Sequence, residues 1–143
     1  MILLYGSLEP RKGVQLLLDR LQHPDTDPNT HLLVVGRQTP EVTRMFAKAE
    51  LRQYREQGRI HQVNRYVTSE EEQMVFAAAD IAWLRYDGFY QMSGVLVKAV
   101  KADLELELPD VGLLGWYKNG LLDKKVAFRE NDWACAKRKI FEF

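Results

Sequence analysis

The sequence predicts an α/β domain built on a mostly parallel sheet with helices on both faces. Three observations carry that expectation. Short continuous apolar runs, ILLYG at residues 2–6 and HLLVVG at 31–36, each close on glycine, as strands buried on both faces do. Segments with helical apolar spacing, such as VQLLLDRL from Val14 to Leu21, lie between such runs. The two kinds of segment alternate every 15–30 residues with no repeat or linker between them, the rhythm of parallel sheets.

Taken in order, ILLYG is the first strand, SLEPRKG a turn, and residues 14–21 the first helix. HPDTDPNT at 23–30 is polar, carries two prolines and reads as surface loop. After the strand at 31–36, Thr39 is placed to cap a helix with Pro40 in its first position. That helix is expected to run to about Gln57 and to stop at Gly58. A short strand follows near 60–63, and Ser69 with Glu72 forms a capping box for a helix through Ala79. DIAWLRY at 80–86 is the next strand, followed by a helix near 93–102 and the strand LELEL at 104–108. Residues 112–120 read as a glycine-rich turn, and 124–128 as a last short strand.

At 143 residues the chain suits one domain with a real core, and 46% hydrophobic with 28% charged residues is the composition of a globular protein. Twenty basic and twenty acidic residues cancel, so no global field favours nucleic acid or an anionic membrane. No apolar run approaches the ~20 residues that span a bilayer, and the opening MILLYG is too short for a secretion signal. The lone Cys135 cannot form an internal disulfide, which fits a reducing, cytoplasmic setting. A chain that opens directly on a strand is expected to be one half of something larger.

Parallel sheets bind ligands beyond the C-terminal ends of their strands. The loops after Tyr5, Val35, Leu84 and Leu108 are therefore the places to look. In GSLEPRKG the order Arg11-Lys12-Gly13 lacks the hydroxyl that a triphosphatase loop places on magnesium, and GxGxxG is also missing. The second absence disfavours a nicotinamide-dependent oxidoreductase. Lys12 and Gly13 remain, where the first helix begins and a phosphate would meet free backbone amides. Arg37 stands at the end of the second strand, in reach of an anion. In YDGFYQMSGVLVKAV (86–100), Ser93 is placed to cap a helix facing a negatively charged ligand, and Gly94 lets the ligand approach the chain. The charged tip of Lys98 returns towards the same end or points to water. Tyr86, Phe89 and Tyr90 either line a base pocket or cover the core. Asp110, Gly112 and Gly115 are placed to close the pocket from the far side. No Ser-His-Asp or Cys-His set is present in these loops, so no catalytic residue is assigned. His23, His31 and His61 lack the spacing of a shared metal site, and none is expected.

LLYGSLEPRKGVQLLLDRL, LLVVG, VTSEEEQMVFAAADIAWLRY, SGVLVKAV and LPDVGLLGW, in that order, resemble the C-terminal, donor-binding half of retaining glycosyltransferases of the GT-B class, the large family four type. The resemblance covers roughly residues 2–132 and leaves 133–143 as a divergent tail. It implies a Rossmann-like domain that binds a nucleotide-sugar diphosphate as donor substrate, with no further cofactor. It also implies an acceptor-binding partner, either a separate N-terminal-type domain or another copy of the chain. The family grips the diphosphate with an arginine and a lysine five residues on; Lys12 matches the lysine, and Ser7 stands at the arginine. Its pair of donor-handling glutamates aligns with Tyr90 and Lys98, neither of them acidic. A nucleotide-binding or protein-interaction module without catalysis is the alternative. LELEL also departs from the family by placing Glu105 and Glu107 on one face of a strand. Burying two unpaired acids costs several kcal/mol each. That face is therefore wet, or the strand lies at an edge, or the sheet is incomplete towards the C-terminus.

Overall fold

A computed structural model describes residues 1–88 and 93–121. Its strands are β1 (Ile2–Tyr5), β2 (Leu32–Val35), β3 (Ile60–Val63), β4 (Ile81–Trp83) and β5 (Glu105–Glu107). They form one sheet in the order β3-β2-β1-β4-β5, and each neighbouring pair is parallel. This is the Rossmann-like α/β architecture the sequence predicts, with the strand order reversing direction at β1.

Side chains alternate across the sheet, and each face has its own core. Ile2, Leu4, Leu32, Val34, Ile60 and Trp83 pack on one face with Val14, Leu17, Leu18 and Leu21 of α1 (Val14–Gln22). Val42 and Phe46 of α2 (Pro40–Ala47) complete that side. Leu3, Val35, Ala82 and Leu84 pack on the other face. There they meet Phe76 of α4 (Ser69–Ala77), Leu96 and Ala99 of α5 (Gly94–Lys101), and Leu114 and Tyr117 of α6 (Gly112–Leu121). Burying one such leucine contributes about 2 kcal/mol, so the four apolar side chains of α1 anchor it without help from a side-chain cap.

Three sequence expectations need correction. The helix expected over residues 40–57 is broken: α2 ends at Ala47, a 3-10 turn covers Ala49–Leu51, and α3 spans Arg52–Glu56. Lys48 at the break is extended, with φ −52° and ψ 142°. The Arg55 guanidinium donates to the carbonyls of Phe46 (2.5 Å) and Lys48 (3.2 Å), replacing partners an unbroken helix would have supplied. The bend lets both Phe46 and Leu51 enter the core.

The capping box lies one residue earlier than expected. Thr68 Oγ1 accepts from the Glu71 amide at 3.2 Å, and the Glu71 carboxylate accepts from the Thr68 amide at 2.9 Å. Two adjacent hydroxyls and three consecutive glutamates allow either register. Arg65, which grips Glu71 through both terminal nitrogens, accompanies the one adopted. Finally, residues 112–120 belong to helix α6 and are not a turn. Leu114 and Tyr117, three apart, are both buried against the second core, and this outweighs the low helix propensity of glycine.

The acids of LELEL find their explanation at the margin of the described sheet. The strand is shorter than its expected 104–108, and β5 is one of the two edge strands of the described sheet. Glu105 is exposed, while Glu107 is paired with Arg20 of α1, whose guanidinium also lies 5.9 Å from the Trp83 ring centroid. The expected strand at 124–128 and the boundary at residue 132 lie outside the described residues.

Replacing Thr68 by alanine removes one half of the capping box and should cost about 1 kcal/mol in urea unfolding. Ser69→Ala, one residue into the helix, should cost less than about 0.5 kcal/mol. The reverse ranking would restore the register first read from the sequence.

Candidate functional site

The site is built where β1 and β4 release the chain. Beyond Tyr5 the chain turns at Gly6, whose amide donates to the Val35 carbonyl at 3.0 Å. Leu8 N then donates to Arg37 O (2.8 Å), and Thr39 N to Leu8 O (3.0 Å), so the loops after β1 and β2 are zipped together. Gly36 makes this crossing possible: its φ is +130°, and a Cβ there would overlap the Gly6 carbonyl. Residues Pro10–Lys12 make one 3-10 turn, and Gly13, left-handed at φ 70°, redirects the chain into α1. A Cβ on Gly13 would overlap the Arg85 carbonyl; its own carbonyl accepts from the Trp83 indole at 3.2 Å. The Asp87 amide donates to Arg11 O at 2.6 Å. The loop after β1 is thus fastened to the segment after β4, and Gly13 is the joint.

This framework aims Lys12 inward. Its Nζ donates to the Tyr5 carbonyl at 3.1 Å and lies 5.0 Å from the Tyr86 ring centroid. The ammonium also borders Gly6, where an added Cβ would stand 3.1 Å from Nζ. Half-burial, and then the charge of Arg11, push the Lys12 pKa down to about 8. Among the described residues Lys12 has no carboxylate at ion-pair distance.

The start of α5 meets the same place. Val95 Cγ2 would be 3.8 Å from a Cβ on Gly6, so the first turn of α5 borders the end of β1. Ser93 is the N-cap residue, extended and buried, and its side chain does not cap its own helix. Burial pushes the Tyr86 phenol up, offset in part by the neighbouring Ser93 side chain. Gly94 is exposed, with no heavy atom within 4 Å of where a Cβ would be. Lys12, Tyr86 and Ser93 therefore lie together with the first turn of α5 at the strand ends, where a sheet of this order leaves a crevice, here called the mouth.

The other expected residues fare differently. Lys98 donates to Glu72 Oε2 at 2.6 Å and stands 5.5 Å from the Tyr5 ring centroid. The Tyr5 hydroxyl donates to the same Glu72 oxygen. Glu72 is held below the usual carboxylate range by Lys98 first and Tyr5 second, and the Tyr5 phenol is driven upward by burial and then by Glu72. Arg37 is exposed; it is its backbone carbonyl that joins the loops. Asp110 is paired with Lys118 of α6 at 2.5 Å. Phe89 and Tyr90 lie outside the described residues.

Sequence reading missed Tyr5 and Glu72, because the first was taken only as a strand end and the second was assigned to capping. It also missed three amide residues, Gln38 beyond β2, Asn64 beyond β3 and Gln62 within β3. The Gln38 amide N–H on the backbone donates to Asn64 Oδ1 at 2.8 Å, and Gln62 Nε2 donates to Gln38 Oε1 at 3.4 Å. A cavity of about 670 Å³ lies elsewhere, on the α1 face, lined by residues that include Leu16, Arg20, Ile81 and Trp83. Among the described residues, no three His, Cys, Asp or Glu side chains gather as a metal site, and no helix is long and apolar enough to cross a membrane.

Fold and contacts together define a Rossmann-like α/β domain with a half-buried lysine at the end of its first strand. The chain matches no family model, no curated protein and no solved structure.

The depressed pKa of Lys12 has a stability consequence. Below about pH 8 the fold holds an ammonium that it desolvates; between about 8 and 10.5 the folded lysine is neutral while the unfolded one still binds its proton. Lys12→Met should therefore be more stable than wild type at pH 7. The gap should narrow as pH rises through that window, as read by denaturant melts at pH 7 and 9.5.

Proposed function

We propose that this chain binds the diphosphate of a nucleotide sugar at the strand-end mouth, as the donor-binding half of a retaining glycosyltransferase of hexosyltransferase type. The observation that carries this reading is Lys12: a half-buried ammonium with no carboxylate partner among the described residues, held against Gly6 beside the start of an eight-residue helix. A charge that the fold desolvates and does not neutralise is suited to an anion from outside. Helix starts add unpaired amides and a partial positive charge. Gly94 leaves room for phosphate oxygens to reach them.

In transfer, the sugar–phosphate bond breaks and negative charge grows on the leaving diphosphate. Lys12 and the first turn of α5 are positioned to stabilise that charge, the contribution a preorganised cation makes to a transition state. Attack from the same face would retain the anomeric configuration. Both substrates must be held together for this step, so an acceptor-binding domain or partner has to supply the second wall.

A second reading keeps binding and drops catalysis. The ion pair between Lys98 and Glu72 favours it, because Lys98 stands where the resembled family handles its donor with an acid.

Calorimetric titration with nucleoside diphosphates and nucleotide sugars tests both. Micromolar binding is expected, with Lys12→Ala weakening it roughly 10- to 100-fold, the range of a charge-assisted hydrogen bond. No binding across the panel, or binding indifferent to Lys12→Ala, would overturn the proposal. Retained binding without transfer when an acceptor domain is supplied would select the second reading.

Binding should also depend on pH. Lys12 must be protonated to meet the diphosphate, so affinity should fall by about tenfold between pH 7 and 9, with proton uptake on binding at the upper end. A nucleotide sugar is the right ligand, because its diphosphate diester does not titrate in this range. Titrations in buffers of different ionisation enthalpy read the uptake directly.

A further inference from the structure

Two ammonium groups address Tyr5, the last residue of β1. Lys12 Nζ bonds the Tyr5 carbonyl, and Lys98 Nζ lies over the Tyr5 ring, yet only Lys98 has a carboxylate partner, Glu72 of α4. We propose that the Glu72–Lys98 ion pair is a latch released by ligand: an entering diphosphate takes the Lys98 hydrogen bond from Glu72 Oε2, and Glu72 keeps the Tyr5 hydroxyl. This rests on the phosphate-binding reading above and adds what sets its affinity and selectivity.

Four observations support the exchange. Side chains on a helix slope towards its N-terminus, so Lys98, the fifth residue of α5, leans towards the turn that borders the mouth. Glu72 has a second donor in the Tyr5 hydroxyl, so losing Lys98 does not leave its carboxylate unsatisfied. The pair is accessible, its side chains 45% and 26% exposed, so opening it buries no charge. Glu72 neutralises one of the two lysines that contact Tyr5, which lowers the positive charge at the end of β1.

The latch favours ligands long enough to engage both cations. A diphosphate can bridge Lys12 and Lys98; a monophosphate held at Lys12 gains nothing from the second. Glu72→Gln keeps an oxygen for Tyr5 and releases Lys98, and should tighten nucleoside diphosphate binding by about fivefold, the worth of one exposed ion pair. Nucleoside monophosphate binding should not change. Lys98→Met leaves the Tyr5–Glu72 bond in place and should weaken diphosphate binding by a similar factor. The double variant should behave as Lys98→Met alone.

Titration calorimetry of the four proteins, with thermal melts to verify folding, reads these outcomes. Wild-type-like diphosphate binding by Lys98→Met overturns the latch, as does a fivefold gain that persists in the double variant. If Lys12→Ala still weakens binding roughly 10- to 100-fold in either case, the phosphate site stands and only the latch falls. Absence of binding by wild type and Glu72→Gln alike overturns both.

Discussion

β1 is hydrogen-bonded along both edges, to β2 and to β4, and the remaining architecture is arranged about it. Its alternate side chains seed the two cores: Ile2 and Leu4 on the α1 side, Leu3 on the α5 side. Because the strand order reverses here, the chain leaving β1 and the chain leaving β4 diverge to opposite faces. A gap at the end of β1 follows from that topology. Lys12, on the loop after β1, and Val95, in the first turn of the helix after β4, both border Gly6 at that end.

Electrostatics at that gap run against stability. A lysine held between a peptide carbonyl and an aromatic ring is partly solvated by both, yet burial and Arg11 still lower its pKa to about 8. The neighbouring cation is treated in the opposite way, neutralised by a carboxylate that also receives a tyrosine hydroxyl. The two lysines that contact Tyr5 thus differ: Glu72 neutralises Lys98, while no carboxylate among the described residues is at ion-pair distance from Lys12. A desolvated cation of this kind persists because well-packed elements elsewhere hold it in place.

Much of the fold was legible because its signals are local. Apolar runs ending at Gly6 and Gly36 marked two strands, and Thr39-Pro40 marked a helix start that the structure retains. Errors arose where a distant side chain decides. The break at Lys48 depends on Arg55 reaching back to two carbonyls, and the capping register on the side where Arg65 grips Glu71. α6 was hidden by its glycines, since helical burial of Leu114 and Tyr117 is visible only against the second core. At the site, the strand-end rule pointed to the loops after β1 and β4, because topology fixes where loops emerge. It gave no access to the partner of Lys98, which comes from a different helix across the face of the sheet.

The pairing of β1 also bears on how the protein folds. Ile2 is matched with Leu32 on one side and with Ile81 on the other, so its two ladders close loops of very different length. The shorter closure costs less chain entropy, which places the β3-β2-β1 half ahead of β4 in the order of assembly. Until β4 arrives, one edge of the central strand is open, and Leu3 lacks the neighbours that later bury it. On a ribosome this interval is set by synthesis of the chain through Leu84. The segment that completes the crevice at the strand ends is therefore also the one that covers the second edge of β1.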